Sequence, residues 1–247
     1  MIQLRPQGRT KTITAEPGVT GHAEGLLLVD KPAGITSHDV VQLVRRIYGE
    51  RSIGHLGTLD PFATGLLILL IGRCTRLANF IDTEPKVYEA TIRFGAETDT
   101  DDCTGSVTRE TELPARSSVV SAIERLTGDI MQTPPDYSAK SVDGTRAYDA
   151  ARKGTALELS PVPVHVNEWI IRERRDDSLD VTITCGTGTY IRALARDLGR
   201  MTGSSAHLTA LRRIRAGSFD VRDAVTIEAL KLKPPALRTL HVVASNA

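Results

Sequence analysis

The sequence predicts an α+β fold, and three observations carry that expectation. Two unbroken apolar runs, Leu26 to Val29 and Leu66 to Ile71, have the length of buried strands. Residues 86–94 alternate, with Tyr88, Ala90, Ile92 and Phe94 on one face and Val87, Glu89, Thr91 and Arg93 on the other. Residues 117–127 place Val119, Val120, Ile123 and Leu126 at helical spacing, so strands and helices are interleaved.

The 247 residues suffice for one large domain or two small ones. Hydrophobic content of 40% and charged content of 25% fit a globular chain, and a net charge of +1 does not announce nucleic-acid binding. Any RNA-facing surface must therefore show in the distribution of charge. Cys74, Cys103 and Cys185 are odd in number and far apart, which indicates neither a disulfide framework nor a zinc site. The longest apolar run is too short to span a membrane, and the first residues lack a signal-peptide core. The expected setting is the cytoplasm, with no membrane association.

In chain order, residues 1–24 are polar and aperiodic and read as a flexible tail. Gly25–Asp30 reads as a buried strand, broken by Lys31-Pro32-Ala33-Gly34. Ser37 is placed to cap a helix carrying Val40, Val41, Leu43, Val44 and Ile47, with Gly49 at its end. Next comes Gly54-His55-Leu56-Gly57-Thr58-Leu59-Asp60-Pro61-Phe62-Ala63-Thr64-Gly65, a stretch rich in glycine before the apolar strand. Pro61 biases Asp60 away from helix. A carboxylate on such a loop is suited to act as nucleophile or base. By spacing alone, a plain Asp-Pro turn accounts for it equally well.

Gly72 to Phe80 reads as a short helical stretch that includes Arg73 and Arg76, without the pattern of a nucleotide-binding loop. Thr98-Asp99-Thr100-Asp101-Asp102 lacks the glycine and glutamate of a calcium loop, so no metal is expected. Residues 162–171 and 179–185 read as two strands joined by a charged turn at 172–177. Arg192, Arg196 and Arg200 then recur on one helical face, followed by Arg212, Arg213, Arg215 and Arg222. Against Asp197 and Asp220 these leave an excess of about five positive charges, a candidate phosphate-facing footprint.

GHLGTLDPFATGLL resembles the catalytic motif of the TruB family of tRNA pseudouridine synthases. DKPAGITS, the TDTxD loop, YSA…G…RAY and GTYIR follow in the family's order across roughly residues 25–222. The resemblance implies a mixed, largely antiparallel sheet with flanking helices and a central cleft, the pseudouridine synthase fold. It implies a catalytic domain over 25–225 and a short segment over 226–247 with no room for a full extra RNA-binding domain. The implied reaction converts uridine to pseudouridine in the T loop of tRNA, at tRNA position 55.

The same resemblance makes Asp60 the nucleophile, Arg192 its ionic partner and Tyr88 the residue stacked on the base. It makes His55 the filler of the space left by the flipped base, and Arg76 and Tyr190 further substrate-side contacts; Lys31, with Pro32 in the DKPAGITS segment, is expected to support the catalytic loop or to contact substrate. Leu56, Ser141 and Thr187 depart from the family pattern, the last two where the family usually has lysine. The chemistry is an isomerisation, so no cofactor is called for. A T-arm stem-loop is the expected partner, acted on by a monomer without a required protein partner. A non-catalytic RNA-binding or tRNA-folding protein would keep the basic surface and dispense with Asp60. A glycosidase would need a second carboxylate flanking the bond, which the spacing does not supply.

Overall fold

The computed structural model describes residues 23–138 and 159–238, together with the backbone of 12–14, 141–142, 145–146 and 241–243. Along the chain the strands are β1 (Thr12–Thr14), β2 (Gly25–Lys31), β3 (Ile53–Leu56), β4 (Thr64–Ile71), β5 (Lys86–Phe94), β6 (Ala96–Thr98), β7 (Val107–Glu110) and β8 (Gly128–Gln132). They continue with β9 (Ser141–Val142), β10 (Thr145–Arg146), β11 (Val162–Arg174), β12 (Ser178–Cys185), β13 (Ala206–Ala216), β14 (Phe219–Asp220), β15 (Val225–Thr226) and β16 (His241–Val243). The described α-helices are α1 (Ser37–Tyr48), α2 (Arg116–Arg125), α3 (Ile191–Met201) and α4 (Ile227–Leu232), and a 3-10 helix covers Gly72–Phe80. The architecture is α+β with a mixed, mostly antiparallel sheet.

Two compact units divide the chain: residues 1–87 with 212–247, and residues 88–211. The first unit contains the strand order β15-β2-β4-β13, with β3 also paired to β4. β2 and β4 run antiparallel from Gly25↔Ile71 to Lys31↔Gly65. β13 meets β4 in parallel at Arg212↔Thr64 and Arg213↔Gly65. From Gly65 to Ile71, β4 is buried on both faces, which is why it reads as a continuous apolar run. One face joins Leu66, Ile68 and Leu70 to Leu26, Leu28, Cys74, Ile81, Ala216 and Phe219. Burying each Leu or Ile fully is worth roughly 1.5–3 kcal/mol, so these strands are the rigid base for the loops at their ends.

The second unit contains the order β13-β5-β12-β11-β8. β11 and β12 form the expected hairpin, but the strands run further, leaving only residues 175–177 between them. Tyr88, Ala90, Ile92 and Phe94 are buried on β5, as the alternation requires.

Several expectations need correction. Thr36, not Ser37, caps α1: it accepts from the Asp39 amide, and Asp39 accepts from the Thr36 amide in a capping box. Val120 is half exposed rather than on the core face of α2, where Ala122 is buried instead. Part of the 1–24 tail is a strand, since Thr12–Thr14 pairs antiparallel with His241–Val243. β13 was not legible as a strand. Its buried positions are 206, 207, 208, 211, 213 and 216, which keep no two-residue period.

Candidate active site and its supporting charges

In the first unit, Asp60 sits on the segment between β3 and β4, outside any helix or strand. That segment is pinned on both sides of the carboxylate. Ser37, at the start of α1, brackets Leu59: its Oγ accepts from the Leu59 amide at 2.9 Å and donates to the Leu59 carbonyl at 3.1 Å. On the other side, the Pro61 carbonyl accepts from the Gly34 amide at 2.8 Å and from Lys31 Nζ at 3.3 Å. The Asp60 carbonyl accepts from the Ala63 amide at 3.1 Å, closing the turn.

Lys31 is completely buried. Besides Pro61, its ammonium donates to the carbonyls of Pro32 at 3.0 Å and Ile35 at 2.7 Å. Burial pushes its pKa down to about 8; the Asp60 charge works against that shift and the Arg213 charge adds to it. The three carbonyl partners of Lys31 make it a tie between the 32–35 turn and the Asp60 loop.

Arg213 is also buried, with a relative exposure of 1%. It spans the same loop, donating from Nε to the Leu66 carbonyl at 2.8 Å and from Nη2 to the Gly57 carbonyl at 3.0 Å. The strand that carries it approaches so closely that a Cβ at Gly65 would lie 2.2 Å from the Arg213 carbonyl oxygen, and Gly65 itself has φ +101. His55 lies on β3 opposite Leu69. Its Nδ1 is buried with no hydrogen-bond partner among the described residues. Burial, then the charge of Arg213, lowers its pKa, so the ring is neutral near pH 7. Arg76 is exposed on the 3-10 helix.

In the second unit, Tyr88 is buried near the start of β5, and Tyr190 precedes α3. The side chain of Gln132, itself fully buried, holds the Tyr190 backbone: Oε1 accepts from its amide at 2.8 Å and Nε2 donates to its carbonyl at 3.1 Å. Arg192 donates to the carbonyls of Thr100 and Tyr137, each at 2.8 Å, and its Nε lies 3.8 Å from an Asp102 oxygen. One and two turns further along α3, Arg196 pairs with Asp101 at 2.8 Å and Arg200 with Glu97 at 2.7 Å.

The acidic loop is thus a matching row for the arginine face of α3. Burial pushes the Asp101 carboxyl up to about 6, while Arg196, Arg192 and Arg200 pull it back. Among the described residues, no group of three or more His, Cys, Asp and Glu is placed to hold a metal ion.

This changes the reading of the basic cluster. Arg192, Arg196 and Arg200 face carboxylates. Arg212 pairs with Asp30, Arg222 with Asp220, and Arg213 is buried on carbonyls. Arg192, Arg196 and Arg213 are therefore buried ties, whereas Arg200, Arg212, Arg215 and Arg222 remain partly or fully open to solvent, all four near carboxylates. Most of the YSA…G…RAY stretch lies outside the described residues.

Residues 45–191 match the profile described as TruB family pseudouridylate synthase (N terminal domain), and residues 192–234 match the tRNA pseudouridylate synthase B C-terminal domain. The chain belongs to the TruB family. It is 48% identical over 218 residues to a tRNA pseudouridine synthase B of Thermobifida fusca (strain YX), covering 84% of this chain and 74% of that one. It is also 48% identical to a tRNA pseudouridine synthase B of Nocardia farcinica (strain IFM 10152), covering 85% and 71%. Among solved structures, a Cbf5-Nop10-Gar1 complex matches with a TM-score of 0.65 at 22% identity, over 93% of this chain and 62% of that one. An H/ACA RNP bound to a substrate RNA containing 2'-deoxyuridine matches with a TM-score of 0.63 at 20% identity, over 89% and 62%. Those two likenesses establish the pseudouridine synthase fold. This chain spans less than two thirds of the length of either matched structure.

The TruB resemblance also bears on how the site residues are distributed. His55, Asp60, Lys31 and Arg76 fall in the first unit, and Tyr88, Tyr190 and Arg192 in the second. Sequence reasoning missed Arg213, Ser37 as a loop brace, and Gln132. Arg213 stood in a run of arginines that reads as surface charge. Ser37 stood beside the true cap. Gln132 carried no motif.

Proposed function

We propose that this TruB-family chain converts uridine to pseudouridine in the T loop of tRNA, at tRNA position 55, with Asp60 as nucleophile. The observation that carries the reading is the Asp60 loop, braced on one side by Ser37 and on the other by the buried Lys31. A carboxylate that must meet one carbon of a flipped nucleotide gains most from such fixation.

The reaction breaks the C1′–N1 bond and forms a C1′–C5 bond. The proton lost from C5 is balanced by one gained at N1, so product and substrate have equal mass. Asp60 attacks the sugar or assists loss of the base through a glycal. Arg192 pairs with Asp60 and keeps it ionised and aimed. Tyr88 stacks on the uracil and accepts the C5 proton late in the reaction, while Tyr190 shapes the pocket. Extruding the base costs on the order of a few kcal/mol. His55 offsets part of this by filling the vacated space, and its unpartnered Nδ1 supplies a polar contact there. Arg76 contacts phosphate. The enzyme works in the cytoplasm as a monomer, over a catalytic region of 25–225.

The test is incubation of purified protein with an unmodified T-arm stem-loop and no additive, followed by chemical mapping of pseudouridine. Product at the T-loop uridine is expected from wild type and not from Asp60→Asn, which still binds. Full turnover by Asp60→Asn would overturn the assignment, and free uracil would indicate hydrolysis instead.

A further inference from the structure

Arg196 lies one turn beyond Arg192 on α3, and its guanidinium is shared among three partners. Nη1 donates to an Asp101 oxygen at 2.8 Å, Nη2 to the Thr133 carbonyl at 2.8 Å and Nε to an Asp197 oxygen at 3.0 Å. Arg192 reaches the same two neighbouring segments, at the Thr100 and Tyr137 carbonyls. From 133 to 137 the chain forms neither helix nor strand, so these arginines supply ties that no sheet ladder provides there.

Asp101 has φ 59, and among the described residues it is the non-glycine position with a positive φ. Such backbone is disfavoured for a residue with a Cβ and persists where its surroundings hold it. Rotation about this φ sets the Asp101 side chain against the peptide that carries the Thr100 carbonyl. The N–H of that peptide reaches the Thr98 carbonyl at 3.2 Å, the long end of the usual range. Arg196 grips the side chain, a buried carboxylate, and in doing so aims the carbonyl that Arg192 uses.

We propose that Arg196 is a positioning residue for Arg192. By holding Asp101 and Thr133 on one guanidinium, it fixes the two segments whose carbonyls orient the Arg192 side chain. The role rests on the function proposed above, in which Arg192 serves Asp60. Arg196 and all its partners lie within the second unit. Arg200, a further turn along α3, provides the contrast: it is bonded to Glu97 on β6, away from both segments.

The experiment compares three variants with wild type on the unmodified T-arm stem-loop. Arg196→Met/Asp101→Asn removes the Asp101 pair and the Thr133 bond together. Arg196→Lys keeps a charge opposite Asp101 but lacks the planar fork that reaches Thr133 as well. Arg200→Met/Glu97→Gln is the control. Single-turnover rate at saturating RNA, RNA affinity and the urea midpoint are read for each.

A misplacement of about 1 Å costs up to about a hundredfold in rate. Both Arg196 variants should lose about tenfold or more in single-turnover rate at unchanged RNA affinity. The control should keep the wild-type rate whatever its midpoint. A purely structural role predicts instead that rate follows midpoint in all three. Full rate in Arg196→Lys or in the neutral pair overturns the proposal, as does an equal loss in the control; if the neutral pair does not fold, Arg196→Lys decides. The two readings fail differently. Wild type without pseudouridine removes the proposed function and this role with it. Wild-type product with undiminished rate in the Arg196 variants removes the positioning role alone.

Discussion

Raising the pH from about 7.5 to about 10.5 should stabilise the wild-type protein relative to Lys31→Met. Lys31 is wholly buried and its pKa falls from 10.5 to about 8, chiefly through burial. A base whose folded pKa is depressed binds fewer protons folded than unfolded between those two values, so stability rises with pH across that window. Below about pH 8 both states carry the proton and the cost of burying it is constant. The gap between 10.5 and about 8, at 1.36 kcal/mol per pH unit, amounts to about 3 kcal/mol.

The assay is urea unfolding of wild type and Lys31→Met at intervals through that range. The methionine removes the ammonium's bonds to the Pro32, Ile35 and Pro61 carbonyls and lowers stability at every pH, but that offset is flat. Only the difference in slope reports the lysine. Asp60→Asn should steepen the rise and start it at lower pH, because the Asp60 charge holds the Lys31 pKa up. A pH-independent difference between wild type and Lys31→Met would falsify the account of Lys31 as a buried ammonium tied to the catalytic loop.

Four further outcomes are expected. Ser37→Ala removes both bonds to Leu59 and should cost about 2 kcal/mol in stability by denaturant unfolding, with a loss in kcat exceeding any change in RNA affinity; unchanged kcat would refute the brace. Gly65→Ala forces a Cβ to 2.2 Å from the Arg213 carbonyl, at a positive φ, and should cost at least 3 kcal/mol or so; a neutral result would refute the close approach of β4 and β13. Arg196→Met strands Asp101 and should cost about 3–5 kcal/mol near pH 7. Because Arg196 holds the Asp101 pKa down at about 6, the variant's carboxyl takes its proton at higher pH, so the loss should shrink as the pH falls toward 6 and level off below it, and Asp101→Asn in the same chain should recover most of it. Tyr88→Phe separates stacking from proton transfer: normal RNA binding with little product is expected, and full product formation would remove the hydroxyl from the mechanism.

The parts legible in the sequence obey a single local rule. β4 showed as an unbroken apolar run because both its faces are buried, and β5 showed as an alternation because one face is. α1 was marked at its end by Gly49, which is left-handed at φ 64. The illegible parts depend on partners distant in sequence. Whether an arginine is a surface charge or a buried tie is decided by the atoms it meets. Arg213 meets Leu66 and Gly57, and Arg200 meets Glu97. The motif around Asp60 was visible, and so was Lys31 in the segment expected to support it, but Ser37 and Arg213 as supports were not. Lys31 sat in a recognisable segment, yet only burial separates a loop tie from a substrate contact.

The order in which the chain is made gives Arg213 a temporal meaning. The second unit, 88–211, lies wholly between the two segments of the first. The partner of Arg213 at Leu66 emerges 147 residues before it. At about 5–20 residues per second, a ribosome takes roughly 7 to 30 seconds to cover that interval. During it the loop bearing Asp60 exists without Arg213, and the inserted unit is being made. The loop therefore gains this tie only after the inserted unit has been made, a delay written into the chain by where one strand was placed.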